Sequence, residues 1–288
     1  MFFGVSIDRP AATLDGFEEA AGKRVALVSS YVSLASTHLD TGFADAVWSR
    51  GAVPMVTWEP WPDGRLGPRQ PQFALRRFLE GDYDGRLREW AESARDWGRP
   101  MLLRFAPEMN GDWNSWSPGT NGNTAREYVA VWRHAHDLFA EAGARNVEWV
   151  WSPNVETPTS TPLRDLYPGD AYVDWVGVDG YNWGSSRPGM RWQSFRSVFG
   201  TTLRAVTKLT SKPVILTEVA STEIGGTKSA WIRDFLSQLR SYPSVVGFVW
   251  FQFDKETDWR IDSSTSSRTA FVAGLAQPRY VGAFSLTR

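Results

Sequence analysis

Short apolar runs rich in Val, Ile, Leu and Phe recur near Phe2, Val25, Val53, Met101, Val147, Val173, Val214 and Val245, and helical patterns fill most of the gaps between them. Strands alternating with helices in this way predict an α/β fold, a parallel (β/α)8 TIM barrel. The clearest helix follows Thr124. Thr124 and Glu127 form a capping box, an apolar stripe runs through Tyr128, Val131, Trp132, Ala135, Leu138, Phe139 and Ala142, and Gly143 is the stop. Trp48, Trp90, Trp97, Trp132 and Trp231 are assigned to buried helix stripes by the same spacing. Glu18 and Glu19 are assigned to a solvated helix face. No Ser/Gly or Pro-rich linker divides the 288 residues, so one domain is expected over residues 1–288, with Gln277 to Arg288 as a tail on the outside or across the barrel floor.

The ends of the predicted strands collect polar and aromatic groups. Asp8 follows the first run, Tyr31 the second, Trp58-Glu59 the third and Glu108-Met109-Asn110 the fourth. The series continues with Ser152-Pro153-Asn154, Asp179-Gly180-Tyr181-Asn182, Glu218 and Trp250-Phe251-Gln252. In a barrel of this kind those ends converge on the face where chemistry is placed. Glu108 and Glu218 stand out because each stops an apolar run, where a carboxylate rarely serves packing, and two such carboxylates are what glycosidic bond cleavage requires. Glu59 reads equally as a substrate hydrogen-bonder or as structural. Asp179, before Gly180, reads as a turn former or an orienting partner. Glu223, in a Gly-containing loop, reads as a solvated charge.

Composition narrows the chemistry. A net charge of -1 without a Lys/Arg run argues against nucleic acid or an anionic membrane as partner and points to an uncharged substrate. The 16 Trp and 8 Tyr exceed what a core needs, and several lie in turn-like contexts suited to flat sugar rings. With no Cys, disulfides, thiolate nucleophiles and Cys-ligated zinc are excluded. His134 and His136 fall on different sides of one helix, so a metal site is not expected. Walker and dinucleotide-binding motifs are absent, and none of the five Lys ends a predicted inner strand, which disfavours a Schiff-base aldolase. Phe2 to Asp8 reads as a strand and not as a signal peptide, and no apolar stretch is long enough to span a bilayer. The expectation is a soluble protein, secreted with its leader outside this sequence, a cytoplasmic location being left open.

Three segments, Arg104 to Trp116 (RFAPEMNGDWNSW), Tyr167 to Trp183 (YPGDAYVDWVGVDGYNW) and Leu216 to Val219 (LTEV), resemble glycoside hydrolase family 26, and the similarity runs in order along nearly the whole chain. That family is a (β/α)8 clan of retaining endo-β-1,4-mannanases, mixed-linkage β-1,3-1,4-glucanases and a few β-1,3-xylanases. The resemblance implies Glu108 as acid/base and Glu218 as nucleophile, in agreement with the strand-end reading. It also implies that Tyr181 hydrogen-bonds the nucleophile, that Trp113 and Trp116 wall the cleft and that Arg104 lies beneath the pair. Trp250 becomes a sugar platform. Trp58, Asn154 and Trp183 become cleft contacts, with Glu59 and Asn110 added from the strand ends. Mannanases of the family usually carry His directly before the acid/base, where this chain has Pro107, which tilts the reading toward the glucanase-like branch.

The function expected is a monomeric retaining endo-β-glycanase acting on β-1,4 linkages of a neutral polysaccharide, mixed-linkage glucan or mannan, with no metal or organic cofactor. Glu108 is expected to be kept protonated by burial and by the charge of Glu218. The alternatives are a non-catalytic carbohydrate-binding barrel and an exo-acting glycanase that trims a bacterial exopolysaccharide.

Overall fold

In a computed structural model of the chain, described for residues 1–8, 12–62, 67–282 and 284, the apolar runs form eight strands. These are β1 (Phe2–Ser6), β2 (Leu27–Ser33), β3 (Val53–Glu59), β4 (Met101–Phe105), β5 (Val147–Trp151), β6 (Trp175–Asn182), β7 (Val214–Ser221) and β8 (Val245–Phe251). They close in sequence order into a barrel. The helices of the described residues interleave them: α1 (Ala12–Ala21), α2 (Thr41–Trp48), α3 (Leu75–Leu79), α4 (Asp84–Trp97), α5 (Ala125–Glu141), α6 (Leu163–Leu166), α7 (Phe195–Leu209), α8 (Lys228–Gln238) and α9 (Thr265–Leu275). Parallel strands covered on both faces need apolar residues throughout, and every residue of β1, β4 and β7 is buried.

By its contacts the chain divides into two compact units, one of Met1–Ser30, Asp45–Pro54 and Val178–Arg288, the other of Tyr31–Ala44 and Met55–Gly177. The second contains the helix expected after Thr124. The Thr124 hydroxyl accepts from the Glu127 amide at 3.1 Å while Glu127 accepts from the Thr124 amide at 2.7 Å, which completes the capping box. The buried stripe of α5 is the one its spacing predicts, and Gly143 follows at φ 80°. Trp90 of α4 and Trp132 and Phe139 of α5 meet Trp58, Phe105 and Trp149 of the strands in one aromatic layer, with centroids 5.1 to 6.4 Å apart. Trp48 and Trp97, by contrast, are the last residues of their helices and only half-buried.

In the first unit β1 approaches β2 closely. A Cβ on Gly4 would lie 2.4 Å from the Leu27 carbonyl oxygen, so only glycine fits. The tail begins on the N-terminal end of β1: the Val281 amide donates to the Met1 carbonyl at 3.0 Å, Phe284 packs on Phe2 at 4.2 Å, and the buried Tyr280 hydroxyl donates to the Leu236 carbonyl at 2.8 Å. Residue 283 and residues 285–288 of the expected tail lie outside the described residues.

Two acids differ from expectation. Glu18 is not simply solvated, since Oε1 accepts from the Val25 amide at 2.9 Å and fixes the entry to β2. Glu223 is a tether: Oε1 accepts from the hydroxyls of Ser263, Ser264 and Ser267 at 2.8, 2.7 and 2.7 Å, and Ser264 is the N-cap of α9. A carboxylate beside a helix N-terminus is stabilised by the unpaired amides there. Burial raises its pKa, but the three hydroxyls and Lys228 outweigh burial and leave it below the ordinary value.

Two outcomes follow. Gly4→Ala forces a methyl against backbone and is expected to lower stability by about 1 to 3 kcal/mol, read from urea unfolding. Wild-type stability would contradict the close approach. Glu223→Ala is expected to cost about 1 to 3 kcal/mol at neutral pH. Because the folded pKa is depressed, the stabilisation is present above the unfolded carboxylate pKa near 4.5 and fades as pH falls through the lower folded value. The gap between wild type and Glu223→Ala should therefore narrow below about pH 4.5, and a gap that widens there would refute the assignment.

Candidate active site

At the end of β4 the chain departs from strand geometry. Arg104 is fully buried; it pairs in register with Thr57, its Nη1 donates to Thr57 Oγ1 at 3.2 Å, and its Nε donates to Ser152 Oγ at 3.0 Å. Two residues later the backbone turns. Ala106 and Glu108, on either side of Pro107, have φ of 44° and 55°. A residue with a Cβ in this region costs of order 1 to 3 kcal/mol, and such positions persist where surroundings over-determine them. Here the Ala106 amide donates to the Trp58 carbonyl at 3.0 Å and the Glu108 amide to the Ser152 carbonyl at 2.7 Å.

The turn presents a half-buried Glu108 to two donors: Asn154 Nδ2 reaches Oε1 at 2.6 Å and Trp113 Nε1 reaches Oε2 at 2.8 Å. Asn154 is itself fixed, because Asn110 accepts from its amide at 2.9 Å and donates to its carbonyl at 2.8 Å. Trp113 is 41% exposed, and its ring lies over Gly111, where a Cβ would sit 2.4 Å from the ring. Glu108, expected to be buried, is half-buried. Trp116, expected as a cleft wall, is instead 1% exposed; its Nε1 donates to the Pro107 carbonyl at 2.8 Å and its ring meets Trp61 at 4.9 Å, so it supports the turn from behind. Glu59 is half-buried at the end of β3 and accepts from Trp61 Nε1 at 3.1 Å.

Trp58, expected as a cleft contact, has no accessible surface: it stacks on Trp90 at 5.3 Å and donates to the Ser33 carbonyl at 3.2 Å. Strand alternation is the reason. Thr57 shares a face with Arg104, so Trp58 points the other way, into the helices.

The second cluster surrounds β7. Register with β8 runs Leu216↔Phe248 and Val219↔Trp250, so β7 carries one extra residue within Thr217–Glu218, a bulge that re-aims the Glu218 side chain. Glu218 is buried and accepts on Oε2 from the Tyr181 hydroxyl. The Tyr181 ring is held by Trp259, Phe251 and Trp183 at 5.0, 5.4 and 5.8 Å. Asp179 lies within β6 and not in a turn. It accepts from Thr217 Oγ1 at 2.7 Å and brings a carboxylate oxygen within 4.8 Å of one on Glu218. Trp183 is half-buried, with the Arg187 guanidinium 3.5 Å over its ring.

Trp250, expected as a sugar platform, is fully buried beside Phe271 at 5.2 Å, and its Nε1 donates to the Trp259 carbonyl at 3.0 Å. A ring without accessible surface offers no face to a sugar. The residue overlooked in the sequence is Trp259, which packs on both Tyr181 and Trp183; a lone Trp in the polar stretch Gln252 to Ser263 was the available signal.

Comparison with known proteins agrees with this architecture. A curated relative, Endoglucanase H of Acetivibrio thermocellus, is 36% identical over 278 residues, which cover 93% of this chain and 30% of that protein. Beta-1,3-xylanase TXYA of a Vibrio species is 24% identical over 195 residues, 65% of this chain and 41% of that protein. The chain thus spans about a third to two fifths of the length of these relatives. A modular endo-beta-1,4-mannanase from Cellulomonas fimi shares the fold at a TM-score of 0.76 and 17% identity, covering 100% of this chain and 74% of that one. Residues 76–242 match the profile of Glycosyl hydrolase family 26, and the chain belongs to that family.

Proposed function

We propose that the chain is a retaining endo-β-glycanase that cleaves β-1,4 linkages in a neutral polysaccharide, with Glu108 as acid/base and Glu218 as nucleophile. The observation that carries this reading is that one glutamate stands in the turn after β4 and the other at a bulge within β7, each with its carboxylate held by side-chain donors, Asn154 and Trp113 on one and Tyr181 on the other. Retention requires two carboxyl groups working about 5 to 5.5 Å apart.

In the first step the Glu218 carboxylate attacks the anomeric carbon, the glycosidic C–O bond breaks, and Glu108 gives its proton to the departing oxygen. The Tyr181 hydroxyl orients the attacking carboxylate. In the second step Glu108, now ionised, takes a proton from water as the water displaces Glu218 from the sugar. The resting hydrogen bonds suit this second role, because Asn154 and Trp113 both donate to Glu108. When Glu108 carries a proton, the charge that strengthens both bonds is gone. Trp113 is the partner able to yield, since it is exposed while Asn154 is anchored through Asn110.

Mixed-linkage glucan is the favoured substrate, supported by Pro107 before the acid and by the extended likeness to a protein named as an endoglucanase. The reading predicts more reducing sugar from lichenan than from galactomannan. Release from galactomannan alone would transfer the assignment to mannan, and binding without release from either would make the barrel a carbohydrate binder. Glu218→Ala is expected to lower turnover of activated aryl glycosides by about 10⁴-fold and to regain activity with azide. Glu108→Gln should lose about 10² to 10⁴-fold on substrates with poor leaving groups and far less on good ones; an equal loss on both would remove it from the acid role.

A further inference from the structure

Lys228, the first residue of α8, is fully buried, an uncommon position for a charged side chain. Its Nζ donates to the carbonyls of Asp258 and Arg260 at 3.1 and 2.7 Å and to Ser263 Oγ at 2.9 Å, so each of its three N–H groups has an acceptor. Ser263 passes the interaction on, donating to Glu223 at 2.8 Å. The two carbonyls belong to the neighbours of Trp259. Trp259 is further fixed by its own amide, which donates to the Phe253 carbonyl at 2.9 Å, and by its carbonyl, which accepts from Trp250.

A lysine buried this deeply costs desolvation free energy, and packing alone would be served better by an apolar side chain. Burial pushes the ammonium down to about 8, while Glu223, Asp258 and Asp262 hold it up and Arg260 lowers it, so it stays mostly charged at neutral pH. The charge orders a loop rather than fills a core. That loop carries the ring that packs at 5.0 Å on Tyr181, the donor to Glu218.

We propose that Lys228 is a positioning residue for the nucleophile: by clamping the backbone on both sides of Trp259 it holds that ring against Tyr181, and so fixes the hydroxyl that orients Glu218. The proposal rests on Glu218 acting as nucleophile. Its reach is set by catalytic geometry, where displacement of a reacting group by about 1 Å costs about 100-fold.

The test is a double-mutant cycle with Tyr181→Phe. First, azide rescue of Glu218→Ala establishes the nucleophile; without rescue the site reading fails, independently of the clamp. Given rescue, Lys228→Met is expected to lower kcat about 10- to 100-fold with KM changed less than about threefold. In the Tyr181→Phe background the same substitution should lower kcat by less than about threefold, because the group it positions is already gone. Equal losses in both backgrounds would overturn the proposal, as would a loss confined to KM. Should Lys228→Met fail to fold, Trp259→Phe tests the same link within an intact clamp, with the same non-additivity with Tyr181→Phe expected and independent losses again contradicting it.

Discussion

A strand of a closed parallel barrel is buried on both faces, so an ionised carboxylate is best placed where the regular ladder is interrupted. Glu108 and Glu218 meet this constraint by different local means. At β4 the chain leaves the strand through Ala106 and Glu108 at positive φ, and the conformation is held because their amides still find the carbonyls of Trp58 and Ser152. At β7 the strand continues, and a one-residue bulge turns Glu218 out of the alternation instead. Each departure gives up local regularity, and both occur beside groups that can do chemistry.

The surroundings of these carboxylates are braced by residues that do not bond to the carboxylate oxygens themselves. Asn110 locks the backbone of Asn154, Trp116 and Asn114 hold the Pro107 carbonyl, and Thr217 satisfies Asp179. Such supports reduce the motion of the reacting groups, and that precision is what a site assembled from strand ends can offer over one carried on loops alone. Trp113 is the exception. Lying over Gly111 and 41% exposed, it is the more open of the two donors to Glu108.

The eight strands and the capped helix could be read from the sequence because each depends on neighbours within a few residues. The direction of the tryptophans could not, as Trp58 and Trp250 near strand ends and Trp116 in the loop after β4 all turn inward to protein. For Trp58 the deciding fact is that Thr57 faces Arg104, a pairing set by the register of β3 and β4 some 47 residues apart. Glu223 failed for the same reason: it sits in a Gly-containing loop, yet its three partners are Ser263, Ser264 and Ser267, 40 to 44 residues later. Long-range partners decide whether a loop charge is solvated or structural, and local pattern carries no record of them.

Trp250 and Lys228 show how the same loop draws on opposite chemistries. One is an indole in an aromatic layer, the other an ammonium with three oxygen acceptors, and both end on the backbone around Trp259. A polar segment such as Gln252 to Ser263 has few apolar side chains of its own to bury, so order has to come from hydrogen bonds made to its main chain. Donors able to do this from within a core are few. An indole N–H loses little on burial, while an ammonium supplies three bonds at once but demands that every one be met. With both in place, the loop gains a fixed geometry that its own sequence does not encode, and Trp259 can serve as a wall for Tyr181.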